Sequence, residues 1–178
     1  MRTRLKRDFF ARPAEAVAPN LLGKFIVRKF PDGTVKEGMI NEVEAYVGRK
    51  DLASHAAGGK RTKRNEVMFG PPGHAYVYFT YGMHWLLNVV CSSVDDPQAV
   101  LIRGLDTVSG PARLTKQFQI DGRLNGEDLV ESKVLWLEDR SSSGRPVVRT
   151  SDIKITPRIG VDYAGEWKNK PLRFVISR

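Results

Sequence analysis

The stretch Gly38-Met39-Ile40-Asn41-Glu42-Val43-Glu44-Ala45-Tyr46 decides how this chain is read. As a strand it sends Glu42, Glu44 and Tyr46 to one face and Val43 and Ala45 to the other, because side chains alternate along an extended backbone. Two acids and an aromatic ring then share a face in a chain that is otherwise strongly basic. Some function must explain why a cationic protein aims carboxylates at the same side as its aromatics.

Upstream, Lys24–Phe30 reads as a second strand, and Pro31-Asp32-Gly33-Thr34 between the two is a turn signal. Glu44 therefore lies late in the second arm of a hairpin. Earlier still, Pro13 to Leu22 reads as a short helix that Pro19 kinks or shortens and Gly23 stops. Downstream, Gly48–Asn65 reads as a loop holding Arg49, Lys50, Lys60, Arg61, Lys63 and Arg64 against one acid, Asp51. Gly58-Gly59 gives that loop backbone freedom. Pro71-Pro72-Gly73 is a turn, His74–Thr80 alternates as a strand, and Tyr81-Gly82 closes a tight turn into Trp85–Ser92. Asp95-Asp96-Pro97 ends that arm, Ala99–Leu105 is a buried strand, and Pro111–Phe118 starts like a helix after Gly110. Trp136, Ile159-Gly160-Val161 and Arg173–Ile176 supply later strands or core pieces, and Ser141-Ser142-Ser143-Gly144 is a loop. There is no internal repeat and no interdomain linker. The expectation is a mixed α+β fold: one domain over residues 1–178, a curved and largely antiparallel sheet, a protruding β-hairpin and a few short helices.

Composition narrows the partner. Lys and Arg number 29 against 20 acids, a net charge of +9 with a pI near 9.8. That balance points to an anionic partner, nucleic acid before acidic membrane. The excess is uneven: residues 1–70 carry 15 basic and 8 acidic side chains, a net of +7, and the rest carry a net of +2. Cys91, the single cysteine, excludes an intrachain disulfide and reads as a small core residue in a reducing compartment. The basic N-terminus lacks the apolar run of a signal peptide, and no apolar run reaches membrane-spanning length. A cytoplasmic location is expected, or a nuclear one in a eukaryote.

Several chemistries can be weighed on spacing. Glu42 and Glu44 would stand roughly 7 Å apart along a strand, which suits a two-carboxylate glycosidase and equally suits two solvated acids. His55, His74 and His84 show no i, i+4 metal spacing, and there is no CxxC, so no metal is expected. Ser54 beside His55 lacks a nucleophile elbow, and Gly58-Gly59-Lys60 lacks the spacing of a phosphate loop. Tyr76 and Tyr78 alternate on one strand, followed by Phe79 and Tyr81. A base can stack on such rings, and a side chain at a hairpin tip can wedge into a duplex. Tyr76 and Phe79 read as ordinary core aromatics, and Tyr81, beside Gly82, reads as exposed. Arg103, inside Val100-Leu101-Ile102-Arg103-Gly104-Leu105, needs a partner, and Glu44 or Glu42 can supply it. Asn88, inside Leu86–Val90, also needs one. Together these residues suggest a polar pocket lined by apolar strands.

In its ordered motifs the chain resembles the single-domain alkyladenine (3-methyladenine) DNA glycosylases. The resemblance rests on Phe9-Phe10-Ala11-Arg12-Pro13, Leu21-Leu22-Gly23-Lys24, Glu42-Val43-Glu44-Ala45-Tyr46, Ser54-His55, Arg61-Thr62-Lys63-Arg64-Asn65 and Met68-Phe69. It continues through Tyr76-Val77-Tyr78, Tyr81-Gly82-Met83, Asn88-Val89, Ala99–Arg103, Ser109-Gly110-Pro111, Ala164-Gly165-Glu166-Trp167 and Lys170–Phe174. It implies that Glu44 is the general base that activates water, and that Arg103 holds that water and the glutamate. It implies that Tyr46 forms one wall of the base pocket and His55 with Tyr78 the other, with the His55 amide reading the purine 6-position. Asn88 would exclude normal guanine, Tyr81 would fill the space left by the flipped nucleotide, and Met68 and Met83 would make apolar contacts near that wedge. Arg64, with Lys63 and Arg61, would contact the DNA backbone.

The implied function is that of a monofunctional DNA N-glycosylase in base excision repair, acting as a monomer without cofactor on double-stranded DNA with damaged purines. The implied lesions are 3-methyladenine, 7-methylguanine, hypoxanthine and ethenoadenine. The chain departs from the pattern between Leu105 and Ser109, where only Asp106, Thr107 and Val108 stand in place of a longer helical segment. That shortening keeps open a rival reading, a family relative that binds damaged DNA and turns over poorly. An RNA-binding reading keeps the basic loop and the aromatics but gives Glu44 beside Arg103 no purpose.

Overall fold

The computed structural model describes residues 2–140 and 148–177. In chain order β1 (Thr3–Arg4) and α1 (Arg7–Phe10) precede α2 (Ala14–Leu21). Ala14, Val17, Ala18 and Leu21 recur at helical spacing on α2, and all four are fully buried. Pro13 stands at the N-cap, and the helix continues two residues past Pro19. The hairpin β2 (Phe25–Lys29) and β3 (Val35–Tyr46) follows. Then come β4 (Ala75–Thr80), β5 (His84–Cys91), β6 (Gln98–Leu105), β7 (Val108–Ser109) and α3 (Pro111–Gln117). Later strands are β8 (Leu135–Asp139), β9 (Ile153–Thr156) and β10 (Arg173–Ile176).

The strands form one sheet in the order β1-β8-β2-β3-β6-β5-β4, with β10 on β3 and β9 and with β7 on β6. Every pairing between these strands is antiparallel. The expected mixed α+β fold, with its antiparallel sheet, projecting hairpin and few helices, is the one observed. β3 is the spine: its first half pairs with β2, and its second half lies between β6 and β10.

Period two then sorts the side chains. Val43 and Ala45 on β3, Val77 on β4, Leu87 and Val89 on β5, and Val100 and Ile102 on β6 join Leu21 of α2 and Leu114 of α3 in the main core. A truncation there, such as Ile102→Ala, is expected to cost about 2–5 kcal/mol. The opposite face carries Glu44, Tyr46, Tyr76, Tyr78, Asn88, Leu101 and Arg103. Cys91 is fully buried in the main core, as expected, and burial pushes its thiol far up.

Ile159-Gly160-Val161 is a core piece rather than a strand: Val161 is buried in a cluster with Ala53 and Ala164, Gly160 sits at φ +74°, and the Ile159 amide donates to a carboxylate rather than to a ladder. One expectation needs correction: Phe79 is not a core ring. It packs on Trp85 across the hairpin at 4.8 Å but stays 42% exposed. The loop expected at Ser141–Gly144 lies outside the described residues. Strand β1 and helix α1 are too short to carry a pattern that the sequence reading could use. Among the described residues no helix is long and apolar enough to cross a membrane.

Candidate active site

A row of facing residues crosses the sheet. Glu44 stands opposite Leu101, Leu101 opposite Asn88, and Asn88 opposite Tyr76. Neighbouring strands lie about 4.8 Å apart, so one row carries an acid, an amide and a phenol across four strands. Above the row opens a cavity of about 310 Å³ lined by Tyr46, His55, Met68, Tyr76, Tyr78, Asn88 and Arg103. The loop residues Ile159 and Tyr163 and the start of α3 close its rim.

Glu44 lies immediately beneath this lining with no exposed side-chain surface. Its Oε1 accepts from the Ile159 amide at 2.8 Å, and its Oε2 accepts from the Tyr46 hydroxyl at 2.9 Å. Arg103 Nη1 stands 3.4 Å from Oε1. A carboxylate has about four acceptor positions, so capacity remains for a water. Burial raises the Glu44 carboxyl, and Arg103, the Ile159 amide, Tyr46 and Arg158 oppose it. Burial and the neighbouring Glu44 push the Tyr46 hydroxyl well up, so it remains a phenol and a donor. Glu42 also meets Arg103, whose Nε donates to its Oε1 at 3.0 Å. Both partners suggested for Arg103 by the sequence are therefore engaged.

His55, Tyr76 and Tyr78 form one aromatic wall. The His55 and Tyr78 rings meet edge to face at 4.5 Å, and Tyr76 lies 5.3 Å from Tyr78. Tyr76 is buried and shares a 2.8 Å hydrogen bond with His55 Nδ1, so it belongs to the wall as well as to the core. Burial, then the nearby Arg64, brings His55 down to about 4, which leaves the ring neutral at ordinary pH. Burial pushes Tyr78 up to about 12. Asn88 is buried, and its Nδ2 donates to the Tyr76 carbonyl.

Tyr81 stands at the tip of the β4–β5 hairpin, 81% exposed and at φ +51°. Met83 is exposed beside it, whereas Met68 is buried in the cavity wall. The three expected phosphate contacts differ in their surroundings. Arg61 is committed to Glu66 and Asp95 at 2.6 and 2.9 Å. Arg64 lies over the Tyr78 ring and donates to the Phe79 carbonyl. Lys63 is exposed.

Sequence reading assigned no site role to five residues. Asp51 and Arg158 form a fully buried ion pair behind Tyr46. Asn65 is buried, and its Nδ2 donates to the carbonyls of His55 and Lys60, which pins the basic loop. Ile159 offers Glu44 its amide, and Tyr163 stands at the cavity mouth with its hydroxyl on the Ala53 carbonyl. Among them, Asp51 stood out in the sequence as the lone acid of a basic loop.

An antiparallel sheet with a buried acid–arginine pair under an aromatic cavity, and a tyrosine-tipped hairpin beside it, has the make-up of an active site. The family model for methylpurine-DNA glycosylases matches residues 8–109 and 105–178, and the two stretches meet at the short β6–β7 connection. A protein of Carboxydothermus hydrogenoformans named "Putative 3-methyladenine DNA glycosylase" is 46% identical, over 97% of this chain and 95% of that one. Relatives of the same name from Legionella pneumophila (strain Corby) and Clostridium botulinum (strain Langeland) are 43% and 39% identical over 98% of this chain. They are covered over 94% and 96% of their own lengths. The chain belongs to the methylpurine-DNA glycosylase family, whose enzymes hydrolyse N-glycosidic bonds in DNA.

Proposed function

We propose that the chain is a monofunctional glycosylase that flips a damaged purine into the aromatic cavity and hydrolyses its glycosidic bond with a Glu44-activated water. The observation that carries this reading is the buried Glu44 carboxylate, held by the Ile159 amide, Tyr46 and Arg103 at the foot of the cavity. The water oxygen bonds to the sugar C1′, its proton passes to Glu44, and the bond to the purine nitrogen breaks with its electrons leaving on the base. Negative charge stands where the oxocarbenium sugar develops. General-base action of this kind contributes roughly 10²–10⁴-fold.

Alkylated purines such as 3-methyladenine and 7-methylguanine are already cations and leave as neutral bases. Hypoxanthine and ethenoadenine need a proton on leaving. Tyr46 and the neutral His55–Tyr76–Tyr78 wall provide faces for the base, and Asn88, in the cavity lining, excludes the 2-amino group of guanine. The His55 amide reads the purine 6-position. Tyr81 fills the vacated stack, and Lys63 and Arg64 meet the backbone. The chain works as one domain and as a monomer, in the cytoplasm of a bacterium like those of its relatives.

The tight β6–β7 connection favours a second reading, a binder of damaged DNA with weak turnover. Base release from duplexes bearing 3-methyladenine, 7-methylguanine, hypoxanthine, ethenoadenine or no lesion decides between them, with Glu44→Gln alongside. Release that Glu44→Gln abolishes, with binding kept, supports the glycosylase. Lesion binding without release from any duplex supports the binder.

A further inference from the structure

Glu42 is the other acid of the opening stretch, and the chemistry above gives it no task. Its Oε1 accepts two hydrogen bonds, from Arg103 Nε at 3.0 Å and from Arg173 Nε at 2.7 Å. Arg173 is itself held, since its Nη1 donates to Thr156 Oγ1 at 3.1 Å. Four charges therefore alternate along one line: Glu44, Arg103, Glu42, Arg173. Three of them are largely shielded, with 0%, 13% and 13% of the Glu44, Arg103 and Glu42 side chains exposed.

The backbone is distorted to make this arrangement. Register slips on both sides of Glu42, between Ile40 and Glu42 and between Glu42 and Val43. Gly104 is the residue opposite, and a Cβ there would lie 2.7 Å from Asn41 Oδ1 and 3.2 Å from Glu42 Cβ. A bulge facing a bare glycine re-aims a side chain at the cost of ladder hydrogen bonds. Here it lets Glu42 close on the Nε edge of an arginine one strand away.

We infer that Glu42, braced by Arg173, is a positioning residue that acts through Arg103: it holds the guanidinium by its Nε edge so that Nη1 faces Glu44. This rests on the reading of Glu44 as the base. An arginine fixed at one edge cannot swing toward a phosphate or a bound purine. Its charge is also shared, which keeps the array neutral beside a sugar that becomes a cation in the transition state. Arg103 is the largest influence opposing the burial that raises Glu44. The charged or titratable groups around Glu44 are Arg103, Tyr46, Arg158, Tyr78 and Tyr163, and those around Glu42 are Arg103 and Arg173.

The test is single-turnover excision of a purine lesion by Glu42→Gln, Arg173→Lys, Arg103→Ala and the Glu42→Gln/Arg103→Ala double variant. Lesion affinity and pH–rate profiles accompany it. Glu42→Gln is expected to slow the chemical step by up to about 100-fold, as small displacements of a catalytic group do. Lesion affinity should hold, and the acidic limb of the profile should move to lower pH, because Glu44 then faces an unshared cation. Arg173→Lys keeps the charge but loses the Nε donor, so it should show a smaller loss in the same direction. It also serves if Glu42→Gln does not fold. The double variant should be no slower than Arg103→Ala. A Glu42→Gln enzyme with wild-type rate and acidic limb overturns the inference. So does a Glu42→Gln loss that adds in full to that of Arg103→Ala, since Glu42 would then not act through Arg103. Equal release by wild type and Glu44→Gln would remove the base itself, a different failure seen in a different lane.

Discussion

Asp51 and Arg158 form a doubly hydrogen-bonded ion pair, Nη1 to Oδ2 at 2.5 Å and Nη2 to Oδ1 at 2.8 Å, with neither side chain exposed. The same guanidinium donates to the Ala45 carbonyl and lies 4.6 Å from the centre of the Tyr46 ring. Asp51 in turn accepts the amides of Val47 and Ala53. The residue after Arg158 is Ile159, whose amide holds Glu44. One buried pair thus fixes both the back of the Tyr46 platform and a donor to the proposed base.

Breaking a buried pair from one side leaves an uncompensated charge, which costs about 3–5 kcal/mol. Asp51→Asn should therefore lower Tm strongly and reduce base release with it. Replacing both partners, Asp51→Leu with Arg158→Met, should recover most of the stability and little of the activity, since Ile159 and Tyr46 lose their common support. Thermal unfolding and base release on the two variants check this. A wild-type Tm for Asp51→Asn would refute it.

Glu44→Gln is expected to separate stability from activity. Burial raises the Glu44 carboxyl above its ordinary 4.5, so the folded state holds that proton more tightly than the unfolded one. Its contribution favours the fold below pH 4.5 and is lost as pH rises through the folded value. At neutral pH the buried charge therefore weakens the fold, and an amide removes that cost. Tm of Glu44→Gln should equal or exceed wild type at pH 7, with the gap closing in acid. Excision should fall roughly 10²–10⁴-fold. A lower Tm at pH 7 would contradict this.

What the sequence made legible was what local pattern controls. Alternation along β3, β4, β5 and β6 placed Glu44, Tyr46, Tyr78, Asn88 and Arg103 on one face, and the sheet brought the strands together. Contacts made by loops were not legible. Arg158 meets Asp51 from 107 residues away, and nothing near Arg158 marks it. Ile159-Gly160-Val161 looks like a strand because it is apolar, yet its amide goes to a carboxylate 115 residues distant. The bulge that gives Glu42 its place depends on Gly104 of another strand. A one-strand reading sees only alternation there.

His55 should remain neutral through the working pH range. Burial and Arg64 bring it from an ordinary 6.5 to about 4. Between those values the unfolded chain takes up a proton that the fold refuses, so stability falls as pH drops from 6.5 toward 4. His55→Gln should flatten that part of the Tm–pH curve. An NMR titration of the His55 ring with a midpoint near 6.5 would rule the prediction out.

Arg61 and Lys63 are neighbours with different expected effects. Arg61 is paired with Glu66 and Asp95, so Arg61→Ala should loosen the loop and leave the salt dependence of DNA binding nearly unchanged. Lys63 is exposed, and Lys63→Ala should reduce the slope of log K against log salt by about 0.9, the value for one released counterion. Binding titrations from 50 to 200 mM salt, a range over which such slopes are readily read, compare the two. A slope change for Arg61→Ala equal to that of Lys63→Ala would mean that DNA breaks the Arg61 pairs.

Tyr81 combines a strained backbone with an exposed ring, an expensive choice at a hairpin tip unless the ring is used. It sits at φ +51°, followed by Gly82 at φ +68°, and a left-handed conformation costs a residue with a Cβ about 1–2 kcal/mol. Tyr81→Gly removes that strain while adding freedom to the unfolded chain, so Tm should change little. A wedge matters only where a base pair must be opened and the gap held. Excision from duplex DNA should therefore drop for Tyr81→Gly, while excision of the same lesion from a single strand should match wild type. Parallel losses on both substrates would mean that Tyr81 shapes the cavity rather than filling the stack. No loss on either would leave the exposed ring without a role in base flipping.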